Sequence, residues 1–142
     1  MATLELEGIE ELGEAFRRIG SVPDSVKEEA LEKMGEVAFT RIQREGESMG
    51  VRDPESDVHI LEKMKLTKPK LTGNGGHADV TFSGSRQRGK TRTRNAEIAF
   101  INEYGKKNQT ARPFIGNAMN QAEKAIVEAG GKVLGDWMEK EF

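Results

Sequence analysis

The sequence contains no cysteine, which excludes disulfide frameworks, thiolate nucleophiles and thiolate metal sites. Its two histidines, His59 and His77, lack a second ligand at the spacing metal sites use, and each reads as a surface or capping residue. Aromatics are sparse at 6% of the chain, and proline occurs only four times, so each proline carries positional information. No apolar run approaches the ~20 residues needed to cross a bilayer, and no membrane partner is expected. Met1 to Gly8 is polar and acidic, with no apolar signal core, and the protein is expected to be made in a cytoplasm. No serine or threonine is coupled to a recognisable base. The sequence therefore offers no catalytic set and implies no metal or cofactor.

The 142 residues fit one domain, 1–142, large enough to bury roughly two-thirds of its unfolded surface. Hydrophobic residues make up 35% and charged residues 32%, a balance that suits a small core with much solvated or partner-facing surface. The net charge of −2 hides an asymmetry. Residues 1–47 carry twelve acids against six bases, a net of −6, while residues 62–94 carry nine bases against Glu62 and Asp79, a net of +7. Segregation of this kind permits head-to-tail attraction between copies or contact with an acidic partner such as DNA. The plainer alternative is that acids cover helix faces and bases cover a loop.

The pattern of apolar residues divides the chain into elements. Thr3 to Glu7 alternates as a short strand, and Ile9, Leu12, Phe16 and Ile19 mark one face of a short helix. Ser21-Val22-Pro23-Asp24 resembles a helix start, with a hydroxyl three residues before an acid and Pro23 where its missing N–H is harmless. Val26, Ala30, Met34, Val37, Ala38 and Ile42 then recur every three or four residues, predicting a long helix to about Gly46. Residues 47–56 read as a loop, and Asp57 to Lys63 as one or two helical turns. Lys65–Lys70 and His77–Phe82, joined by a glycine-rich turn, read as a hairpin. In it Ala78, Val80 and Phe82 face inward, while lysines and Pro69 mark the outer strand as an edge. Ala96 to Tyr104 is apolar on both faces, and its length and flanks favour a central strand, although periodicity alone does not separate it from a helix. Pro113-Phe114 opens a final helix whose stripe runs through Ile115, Ala118, Ala122, Ile126, Ala129, Val133 and Trp137. Gly130-Gly131 within that stripe predicts a kink or break.

Residues 83–95 are polar, basic and glycine-containing, and read as a flexible loop. Gly84-Ser85-Arg86-Gln87-Arg88-Gly89-Lys90-Thr91 within it satisfies the literal phosphate-loop pattern. That chemistry needs the loop to open into a helix on a parallel sheet, whereas Arg92-Thr93-Arg94 continues polar and basic, so nucleotide binding is a remote alternative. Arg86, Arg88, Lys90, Arg92 and Arg94 are better suited to neutralising phosphates without sequence preference, or to meeting an acidic surface. They have no interleaved aromatics on which single-stranded bases would stack. Glu97 and Glu103 are the acids within the apolar segment, placed to pair with Arg112 or Lys106 or to face a neighbour.

Ala99-Phe100-Ile101-Asn102-Glu103-Tyr104-Gly105, a short polar loop, then Ala111-Arg112-Pro113-Phe114-Ile115 and Ala118, resembles a signature of the head–tail joining and tail-completion proteins of long-tailed phages. The likeness covers nearly the whole chain in layout but only about residues 96–118 in specific residues. It implies an α+β subunit: a small antiparallel sheet of about three to four strands, packed against a long helix in the N-terminal half and a C-terminal helix. It also implies a virion location at the head–tail junction or tail end, with other neck and tail proteins as partners. A homo-oligomeric ring, hexameric by analogy, would allow contact with double-stranded DNA in its lumen. Glu103, Tyr104, Gly105, Arg112, Pro113 and Phe114 match the signature and are expected to serve the fold. The basic segment is not part of the family's pattern.

Overall fold

The computed structural model describes residues 2–5, 22–51, 60–72, 75–88 and 90–141. The helix expected over Ile9 to Ile19, the Ser21 hydroxyl and His59 lie outside the described residues. The fold is α+β, with small antiparallel sheets and long helices in the N-terminal half and at the C-terminus.

Helix α1 spans Asp24–Ser48, two residues beyond the predicted end. Pro23 immediately precedes it in an extended conformation, and its carbonyl accepts from the N–H groups of Val26 (3.1 Å) and Lys27 (3.2 Å). Proline is therefore the cap residue and not the first helical one. The C-terminus closes with two reverse bonds, Gly50 N–H to the Glu47 carbonyl (3.2 Å) and Val51 N–H to that of Gly46 (2.9 Å). This 6→1, 5→2 pattern satisfies carbonyls the helix cannot bond itself and turns Val51 into the core.

The main sheet is built around β4 (Gly75–Phe82). Strand β1 (Ala2–Glu5) runs antiparallel along one edge, pairing Ala2 with Val80 and Glu5 with His77. The other edge is shared by β2 (Met64–Leu66), which follows a single 3₁₀ turn at Ile60–Lys63, and β3 (Lys70–Thr72). The expected hairpin is thus present with its outer strand divided. Between the pairs Leu66–Val80 and Lys70–His77, the three residues Thr67, Lys68 and Pro69 oppose only Ala78 and Asp79. The result is a bulge. Thr67 holds it on both sides: its N–H donates to the Asp79 carbonyl and its Oγ1 accepts from the Asp79 N–H, each at 2.8 Å. Pro69, with no N–H to offer, occupies the interrupted stretch. Ala78, Val80 and Phe82 are buried as the alternation predicts.

Two segments depart from the sequence reading. Residues 83–95, expected as a flexible loop, contain a two-stranded ribbon, β5 (Ser85–Arg88) antiparallel to β6 (Thr91–Arg94). Ala96 to Tyr104, favoured as a central strand, belongs to helix α2 (Asn95–Tyr104). Its buried residues are Asn95, Ile98, Ala99 and Asn102, spaced for one helical face.

Helix α3 (Phe114–Glu141) runs without a break through Gly130 and Gly131, where a kink or break was expected. It lies antiparallel to α1: Phe114 packs beside Gly46 at one end and Met34 against Gly130 at the other. A Cβ at Gly130 would overlap the Met34 thioether, so the glycine is what lets the helices approach. The adjoining side of α1 rests on the sheet, with Leu31 against Gly76 and Gly35 against Leu66. Phe114, fully buried, meets the Phe82 ring edge-to-face at 6.1 Å and joins the start of α3 to the sheet.

Candidate functional site

The basic ribbon and the corner between α2 and α3 adjoin one another, and between them they hold the basic and signature residues singled out by the sequence. The ribbon begins where the chain leaves β4. Ser83 is held by its N–H (2.8 Å) and hydroxyl (3.2 Å) to the Lys63 carbonyl, and Gly84 accepts from the Asn95 N–H at 3.0 Å, closing the ribbon's base. Asn95 is the fastening. Buried at 1% exposure, it donates from Nδ2 to the Ser83 carbonyl and accepts at Oδ1 from Arg86 Nε, both at 2.7 Å. A buried amide satisfied on both sides in this way is costly to disturb.

This fastening gives the ribbon an inner and an outer side. Arg86 pairs with Thr93 in register, and both are half-buried toward the body of the molecule. The partners Ser85–Arg94 and Gln87–Arg92 alternate with them and occupy the opposite side, where Gln87, Arg92 and Arg94 are exposed. Arg92 Nε donates to Ser85 Oγ at 2.7 Å, which orders that guanidinium across the strands. Lys90 is exposed at the turn, and Arg88 pairs with Thr91 at the end of the ladder. Lys90, Arg92 and Arg94 form no ion pair among the described residues. Of the five cations grouped by the sequence, Arg86 is thus committed to the fold, whereas Lys90, Arg92 and Arg94 project outward. Thr91 opens a strand and not a helix, so residues 84–91 do not have the strand–loop–helix geometry of a phosphate loop.

The corner is organised by Glu103. Its carboxylate accepts from the N–H groups of Ile115 (Oε2, 2.8 Å) and Gly116 (Oε1, 2.9 Å), capping the first turn of α3 from a separate helix. A negative group at a helix N-terminus also meets the positive end of the backbone dipole. No ion pair of Glu103 with Arg112 or Lys106 occurs among the described residues. Gly105, at φ +77°, ends α2, and a Cβ there would lie 2.8 Å from the Gln109 carbonyl oxygen and 2.9 Å from the Ala111 nitrogen. Only glycine fits. Arg112 donates its backbone N–H to the Asn102 carbonyl and its Nη1 to the Gly50 carbonyl at 3.4 Å. Pro113 accepts from the Asn117 N–H at 3.0 Å, and Phe114 fills the core. These signature residues build the turn from one helix into the next.

Tyr104 is different: its side chain stands outside. It is 69% exposed and its ring lies 4.7 Å from that of Phe100, itself 54% exposed. The sequence does not single out this pair, because an apolar run of this length with these flanks favours a central strand. Spacing of i, i+4 was the available signal once the segment was read as a helix.

Elsewhere, His77 Nδ1 stands 3.4 Å from Asp79 Oδ1, an isolated contact. Among the described residues no group of three His, Asp or Glu side chains is placed to hold a metal ion, and no helix is long and apolar enough to cross a membrane. A shallow, open groove of about 300 Å³ lies between α1 and β2, lined by Glu36, Phe39, Thr40, Met64, Lys65 and Leu66. Its surface is mostly apolar. The fold therefore defines an α+β domain with a basic ribbon and an aromatic corner on its surface. Comparison of the chain with protein families, with curated proteins and with solved structures returns no match.

Proposed function

We propose that this chain is a structural subunit of a tailed-phage or prophage particle, a head–tail joining or tail-completion protein that acts by forming interfaces in a homo-oligomeric ring. The observation that carries the reading is the aromatic corner. The exposed rings of Phe100 and Tyr104 lie in tilted contact on a helix whose other face is fixed by buried residues, and Glu103 and Gly105 hold the corner beside them. Aromatic residues are enriched at protein–protein interfaces, and tyrosine is among the types enriched at their binding hot spots. Two further features agree with it. The signature residues at 99–118 resemble those of the phage family. Acids also predominate in the N-terminal half of α1, where Asp24, Glu28, Glu29, Glu32 and Glu36 are exposed, while bases concentrate on the ribbon. Opposite charges on separate elements of one chain favour head-to-tail contacts, and such contacts close into rings when the rotation between copies allows it.

Native mass measurement across a wide concentration range, together with detection of the protein in purified particles, tests the proposal. Assembly to a closed oligomer is expected, and Phe100→Ser with Tyr104→Ser should raise the concentration needed for it at least tenfold. Thermal stability should be little changed, because both rings are already exposed. A protein that stays monomeric at all concentrations and is missing from particles would defeat the reading.

A further inference from the structure

We propose that the outer face of the β5–β6 ribbon binds the sugar–phosphate backbone of double-stranded DNA without sequence preference. The inference rests on the composition and geometry of the ribbon and does not depend on closure of copies into a ring.

Three observations select this partner. First, the described ribbon contains no apolar side chain: its residues are Ser85, Arg86, Gln87, Arg88, Lys90, Thr91, Arg92, Thr93 and Arg94. Protein–protein interfaces have an apolar centre depleted in charge, whereas DNA-binding surfaces are more polar and strongly positive. An acidic helix face of a second copy can be steered toward the ribbon by charge, but the ribbon offers it no apolar centre to bury. Second, the outward cations Lys90, Arg92 and Arg94 are joined by Ser85 and Gln87, side-chain types that donate to phosphate oxygens. The absence of aromatics in the ribbon removes the stacking platform that single strands require. Third, Arg92 and Arg94 are two residues apart on one face, about 7 Å along the strand. This spacing suits neighbouring phosphates of one strand, which lie farther apart in space than the ~3.4 Å axial rise per nucleotide. A two-stranded ribbon also has the width to enter the major groove.

The body-side fastening sharpens the assignment. Arg86 is held to Asn95, and the register Arg88–Thr91 alternates with the outer pair Gln87–Arg92, so the three cations Lys90, Arg92 and Arg94 are the ones assigned to phosphate contact. Each phosphate contact to duplex DNA contributes about 0.9 to the slope of log affinity against log salt.

The test is fluorescence anisotropy of the full chain with two unrelated 30-base-pair duplexes and a single strand of equal length, from 50 to 300 mM salt. Equal binding of both duplexes, tighter than the single strand and falling steeply with salt, is expected. The variant Lys90→Ala/Arg92→Ala/Arg94→Ala should lose at least tenfold in affinity at 50 mM salt, with the slope reduced by roughly 2 to 3. Lys90→Ala alone, in the turn and away from the fold's contacts, should reduce it by about 1. Arg92→Lys/Arg94→Lys should retain binding, separating charge from shape. Far-UV circular dichroism of each variant checks the fold. The proposal is overturned by absence of duplex binding at 50 mM salt, by unchanged binding in both the triple and the Lys90 variants, or by preference for the single strand. It is equally overturned if the triple variant changes native mass while the unmodified chain binds no duplex, which would assign the ribbon to contacts between copies. Assembly without DNA binding would sink this inference alone, and DNA binding by a permanent monomer would sink only the ring.

Discussion

Gly130 and Gly131 are adjacent in one helix and face different surroundings. A Cβ at Gly130 would collide with the Met34 thioether and stand 2.9 Å from Met34 Cγ, whereas one at Gly131 would meet nothing within 4 Å. Met34 is buried in the core, so its side chain would have to shift against packed neighbours. Gly131→Ala should therefore stabilise the protein by up to about 1 kcal/mol through helix propensity. Gly130→Ala gains the same propensity but incurs overpacking of about 1–3 kcal/mol, so its net effect should be a loss of up to about 2 kcal/mol. Urea denaturation of the two variants checks the difference in sign. Glu103 supports a second prediction at this scale. Glu103→Ala removes the acceptor for two N–H groups of α3 and should cost about 1–2 kcal/mol, the range of other capping residues. Glu103→Gln keeps one acceptor oxygen and should recover part of that loss.

At the scale of elements, the ribbon depends on a single asparagine. Two-stranded hairpins are marginal alone in water, and this one has no apolar face to anchor it. Asn95→Ala would leave Arg86 and the Ser83 carbonyl without their side-chain partner, at a cost of about 1–3 kcal/mol. Much of the effect should be local: amide hydrogen exchange should accelerate across residues 85–94 while the α1–α3 core remains protected. The same residue explains where the sequence misled. In α2 the buried positions include two asparagines, Asn95 and Asn102, and the exposed ones include Phe100 and Tyr104. Polarity is inverted at four positions of ten, which erases the helical period and leaves an apolar run that resembles a strand. The ribbon was illegible for another reason: without apolar residues it has no alternation to detect. Helix α1, helix α3 and strand β4 were legible because each buries one continuous apolar face, and periodicity reports that burial directly.

At the scale of the whole molecule, the acidic half of α1 and the basic ribbon are separate elements of opposite charge. Attraction between copies through these elements would be screened by salt, over about 8–10 Å at 0.1–0.15 M. Assembly should therefore weaken between 50 and 500 mM salt if charge orients the copies, and sedimentation velocity at several salt concentrations measures this. The aromatic contribution should persist, because burial of apolar surface does not depend on ionic screening. Loss of assembly in the Phe100→Ser/Tyr104→Ser variant at every salt concentration would separate the two contributions.

The tight seat of Met34 on Gly130 has a mechanical consequence. Sliding α3 by one turn along α1 would bring Ile126 or Leu134 to the place where only a hydrogen atom fits, so the two longest helices share a single axial setting. Load applied at the aromatic corner, where α3 begins, would pass along this locked pair to its far end without slippage. Such stiffness keeps the two ends of the helix pair at a fixed separation.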